Sequence, residues 1–196
     1  MTRTLVVCLV ALASLLAHAT GVGLKPGLWE VRVVKQVVDG RDTTAQMAAQ
    51  AAQMQQTMAK MPPEQRAKME AMFKEKGVSQ GSDGGYRLCI SPEMAKRDTP
   101  IVDKYGRCQP AKVTHSGNQT TYEFSCSSNG ISTAGKGEST AAGDLITTRS
   151  DTTVKNANGT TRVIHSESEM KYLGSGCGDV KPLAPPPPTP QDSRGS

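Results

Sequence analysis

Methionine and cysteine are the two residue types whose spacing in this chain could support chemistry. Met47, Met54, Met58 and Met61, together with Ala51, recur at a spacing that would place them on one face of a helix. Thioethers are soft ligands that suit Cu(I), so Met54, Met58 and Met61 are the candidate metal ligands, with Met69 and Met72 able to face them from a second helix. No histidine or cysteine accompanies them. The same stripe also fills the seam between two helices, or offers an adaptable apolar contact surface, and that is the reading favoured here.

Five cysteines are present, and Cys8 falls within an apolar run at the N-terminus. Cys89, Cys108, Cys126 and Cys177 remain, an even number with no C-x-x-C spacing, which in an oxidising compartment reads as two disulfides rather than a metal site. Three pairings are open. Cys89 with Cys108 and Cys126 with Cys177 is the favoured one, because the second bond would tie a central strand to the last. Each closed loop would contribute roughly 3–4 kcal/mol in the chain-entropy model.

Other reactive types are scattered. His115 and His165 could act as bases, and Ser116, Ser166 or Asp144 as partners, but nothing in the spacing gathers them and no Gly-x-Ser-x-Gly elbow occurs. Gly135-Lys136-Gly137 is a fragment of a phosphate-loop pattern without the following helix. The sequence points to no catalytic set and no cofactor.

The elements that must position these residues follow from pattern. Arg3, the apolar run over residues 5–16 and Ala17-His18-Ala19 form a signal peptide with cleavage expected after Ala19; the run is too short to span a bilayer. Removing Arg3 takes the net charge from +5 to +4. The basic residues are interleaved with acids, and seven aromatics are too few for a nucleic-acid surface. An exported, periplasmic or secreted protein with no transmembrane segment in its mature chain is expected.

Trp29, Val31, Val33 and Val37 alternate with polar residues as one half-buried strand, closed by a turn at Asp39-Gly40. Residues 43–77 change character. They are rich in Ala, Gln and Met, are interrupted by Pro62-Pro63 and stop at Gly77, so an inserted helical hairpin is expected. Tyr86, Leu88 and Ile90 alternate as a second strand, with Ser91 capping a short helix after it. Turn signals at Gly117-Asn118, Asn129-Gly130, Gly143-Asp144 and Asn158-Gly159 then separate five strand-like runs. Tyr122, Phe124 and Cys126 on one face of the second run mark it as the centre of the domain. The expected fold is mainly β: an antiparallel meander of about seven strands forming a curled sheet, half-barrel or barrel over residues 20–180. A Pro-rich tail over 181–196 is expected to be disordered and unable to pair in a sheet.

Several short motifs in order carry a resemblance. Pro26-Gly27-Leu28-Trp29-Glu30, Leu88-Cys89 followed by Ser91-Pro92-Glu93, the Tyr122-x-Phe124-x-Cys126 strand, and Tyr172-Leu173-Gly174 leading to Cys177 resemble the bacterial exported family known as domain of unknown function 3617, over about residues 24–178. The resemblance implies a periplasmic β-rich domain and no assigned activity. Gly27-Leu28-Trp29 is also similar to the opening of lipocalins, with Arg162 or Lys171 as the basic residue near the last strand.

The functional expectation is a non-enzymatic envelope module that binds a partner protein or a small apolar molecule, with Trp29, Val31, Val33, Tyr122 and Phe124 lining the pocket. The alternative is an interaction arm made by the Met-rich hairpin, acting alone or in a homodimer and requiring Met47, Met54 and Met58 to be exposed.

Overall fold

The computed structural model describes residues 24–82, 84–97 and 110–183. The expected signal peptide, Cys108 and the residues from 184 onward lie outside them. The elements in order are β1 (Gly27–Val38), β2 (Arg41–Asp42), α1 (Thr44–Ala59), α2 (Pro63–Glu75), β3 (Val78–Gln80), β4 (Tyr86–Ile90), α3 (Pro92–Ala95), β5 (Pro110–Ser116), β6 (Gln119–Ser128), β7 (Ile131–Ala142), β8 (Leu145–Lys155), β9 (Thr161–Gly174) and β10 (Pro182–Leu183).

The strands make one open sheet in the order β10-β4-β1-β9-β8-β7-β6-β5, with β2 on β1 and β3 on β4. All pairings are antiparallel except β10 with β4. Strands β5 to β9 are the expected meander. The turns fit their residues: Asn129 and Gly130 both adopt positive φ, the conformation that a two-residue hairpin following the right-handed strand twist requires. The sheet does not close, because β10 and β5 stand at opposite edges; a lipocalin-like barrel is thereby ruled out.

The core lies on one face at the β4-β1-β9-β8 end. Trp29, Val31, Leu88, Ile90 and Ile146 pack there beneath Met94 of α3 and Leu183 of β10. Burying side chains of this size stabilises by roughly 1.5–3 kcal/mol each. Trp29 is fully buried, donates its indole N–H to Lys25 O at 2.8 Å, and lies 5.2 Å from the Tyr172 ring. Ser91 caps α3 by accepting from Met94 N, as its position predicts.

Two sequence expectations change here. A β-bulge between Val33 and Lys35 reverses the alternation of β1, so Val37 leaves the Trp29 face and stands opposite His165 with Lys35 opposite Glu167. Gly135-Lys136-Gly137 stands in the middle of β7, within one of the strand-like runs that the turn signals mark out: Phe124 and Tyr122 lie over Gly135 and Gly137, where a Cβ would come within 2.9 Å of either ring. Residues 181–183 also belong to the folded domain. Pro182 pairs at a sheet edge, where a residue without an N–H is tolerated, and Leu183 is buried.

The disulfide pairing is corrected as well. Cys89 bonds Cys177, with Cα atoms 5.5 Å apart. Strand order along the chain favours the other pairing. In space β9 pairs with β1, and the chain leaving β9 crosses to the outer edge of β4, which places Cys177 beside Cys89. Cys126 is also disulfide-bonded.

Candidate functional site

Among the described residues, two concavities stand out. The first is a trough of about 730 Å³ on the sheet face opposite the core, crossing β5 to β9 and the second half of β1. Cross-strand pairing orders its side chains into rungs. Lys112, Glu123, Lys136, Asp151 and His165 form one, and Glu138, Arg149, Glu167 and Lys35 the next, so charges alternate across the sheet. At the β8-β9-β1 end they pair: Arg149 with Glu167 at 3.6 Å, Lys35 with Glu167 at 4.0 Å, and His165 with Asp151. Opposite charges on facing strands fix the register of a wet face, and inward charges discourage aggregation. Ser150 and Ser166 bond each other at 2.8 Å on the reverse face, so neither joins the His165 and Asp151 pair as a nucleophile.

The second concavity is a groove of about 530 Å³ where the helical hairpin meets the sheet. Met54 and Met58 of α1, Phe73 of α2, Val78 of β3 and Tyr86 of β4 give it apolar walls. Met58 is buried, while Met54, Phe73 and Tyr86 are 61%, 43% and 41% exposed. The walls are held from several sides. Thr43 and Thr44 bond Gln36, which fixes the start of α1 against β1. Lys74 and Glu75 of α2 pair with Asp179 and Lys181, and Lys181 N donates to Lys74 O at 3.1 Å. The segment after Cys177 therefore straps α2 to the outer edge of β4.

A buried acid fastens the remaining wall. Glu30 of β1 accepts from both Ser82 N, at 3.0 Å, and Ser82 Oγ, and from Arg87 Nε at 3.3 Å. This pins the turn carrying Gly84 and Gly85 into the groove. The Ser82 hydrogen bonds foremost, with Arg87, hold the Glu30 carboxyl below the usual glutamate range. A lowered pKa contributes stability above the unfolded-state value, and that stability is lost as pH falls through the folded one. Glu30→Gln is expected to cost about 2 kcal/mol at pH 7. In urea unfolding followed from pH 7 to pH 3 the gap to the parent protein should narrow below the usual glutamate pKa; a constant gap would contradict the assignment.

The comparisons with known proteins bear on the whole described domain. A family model described as "Protein of unknown function (DUF3617)" matches residues 24–177. The chain belongs to this family. A DUF3617 assignment is consistent with a second similarity, 36% identity over 116 residues to an "Uncharacterized protein in lpd-3 5'region" of Pseudomonas putida, covering 59% of this chain and 76% of that one. No solved structure matches.

In this DUF3617 protein the expected site residues are divided. Trp29 and Val31 are closed into the core, Val33 is 41% exposed, and Tyr122 and Phe124 lie on β6, four strands along the sheet from β1. Of these five, Tyr122 alone lines either of the two concavities. The methionines divide too. Met54 and Met58 line the groove, but α1 ends at Ala59 ahead of Pro62, so Met61 falls beyond the helix and outside the groove. Met47 is half-buried. Among the described residues no group of three or more His, Cys, Asp and Glu is placed to hold a metal. Phe73 and Tyr86 stand on α2 and β4, and only the tertiary fold brings them beside Met54.

Proposed function

We propose that this protein is an exported, non-enzymatic binding module of the bacterial cell envelope and that the hairpin groove is its binding site. The observation carrying this reading is the clustering of Met54, Phe73 and Tyr86, all substantially exposed, around one concavity. The chain has only seven aromatics, and leaving two of them in water at one place costs stability that a binding surface recovers. Export is supported by the signal-peptide pattern of the first nineteen residues and by a structural disulfide. The polar trough is read as the solvated face of the sheet, since its charges answer one another.

The apolar dye 1-anilinonaphthalene-8-sulfonate tests the site. Saturable binding is expected in the purified protein, lost in Phe73→Glu and kept in Lys136→Glu. Equal binding by the two variants, or none by the parent, would overturn the reading. Osmotic-shock release of a chain beginning at Thr20 tests export; retention in the cytoplasm counts against it.

A further inference from the structure

Strand β3 is both a wall of the groove and an outer edge of the sheet. Its register with β4 is fixed: Val78 faces Leu88, Ser79 faces Arg87 and Gln80 faces Tyr86. Gly81 N donates to Gly85 O at 3.0 Å, which sets the alternation of the ladder. Ser79 exchanges its backbone bonds with Arg87, so the N–H and C=O groups of Val78 and Gln80 point away from β4. Those four groups have no hydrogen-bond partner among the described residues. Beyond Val78 the same edge of β4 is occupied by β10, which leaves β3 as the open stretch among the described residues.

The charges around the groove narrow the occupant. Lys74 is paired with Asp179, Arg87 with Glu30, and Glu70 with Arg66 at 3.9 Å. Each cation there already has its anion, so an occupant needs no net charge. What the groove offers is a row of main-chain donors and acceptors beside apolar side chains. That combination matches an extended, uncharged peptide: its backbone completes the β3 ladder while every second side chain enters between Met54, Phe73 and Tyr86.

Resting on the groove as the binding site, we propose that this protein captures an extended apolar peptide segment by strand addition to β3. Val78 and Gln80 supply the main-chain bonds, and the hairpin supplies the side-chain pocket. Specificity lies in the residue that points into the pocket, and affinity is shared with the backbone.

The test uses the purified protein and a set of end-capped Thr-Val-x-Val-Thr peptides, with Leu, Phe, Met, Val or Tyr at x, each beside a copy N-methylated at the amides flanking x. At least one member should displace the dye, and its methylated copy should bind about tenfold or more weakly, because successive N–H groups of a strand point to opposite edges and one of the two methylated amides is the donor that faces β3. Amide exchange should slow at Val78 and Gln80 and stay unchanged at Ser79, which is already bonded to β4. Equal binding by the methylated copy, or protection without that alternation, overturns strand addition while the groove reading stands. Failure of every peptide to displace a dye that does bind also overturns it. A protein that binds no dye removes the groove reading itself, and strand addition with it.

Discussion

Replacing both Cys89 and Cys177 with alanine lowers stability by about 4–5 kcal/mol, the largest effect expected of any pair in the domain. The bond spans 88 residues, and releasing a loop of that length returns roughly that much entropy to the unfolded chain. The loss has a local component. Without the bond, Val180 and Leu183 must hold the strap by their own burial, with Lys74, Asp179, Glu75 and Lys181 contributing exposed pairs of small value. Urea unfolding of the double variant measures the total, and hydrogen exchange locates it: amides from Lys74 to Val78 and along β4 should lose protection before those of β6 to β8. A decrease below about 1 kcal/mol would mean the strap is held by packing alone.

Trp29→Ala follows, at an expected 3–5 kcal/mol. The indole is fully enclosed, contacts Tyr172 and gives its N–H to Lys25 O, so truncation leaves a cavity and an unpaired carbonyl together. Trp29→Phe keeps most of the volume and should cost distinctly less. Thermal unfolding of the two variants separates the cavity from the hydrogen bond; equal losses would show that the bond, not the volume, dominates.

Local pattern carried much of this fold, and distance along the chain explains the rest. The alternation of Tyr122, Phe124 and Cys126, the paired turn residues and the proline break after Met61 are local signals, and the meander and the hairpin follow from them. The bulge after Val33 has no local signature, because it arises from the pairing of β1 with β9, more than a hundred residues away. The cysteine pairing depends on the same long-range adjacency. So does the meaning of Gly135 and Gly137, which is set by rings on the neighbouring strand. The groove was least legible of all. Met54, Phe73, Tyr86 and Asp179 come from four separate segments, and the hairpin provides only part of the surface that the sequence ascribed to it.

The most direct measurement is a map of backbone amide chemical shifts as a strand-forming peptide is titrated into the isotope-labelled protein. A groove-binding module places the perturbations on α1 near Met54, α2 near Phe73, Val78 to Gln80 and Tyr86, and leaves the trough residues Lys112, Glu123 and Lys136 unmoved. Perturbations centred on the trough, with the hairpin unaffected, would contradict it.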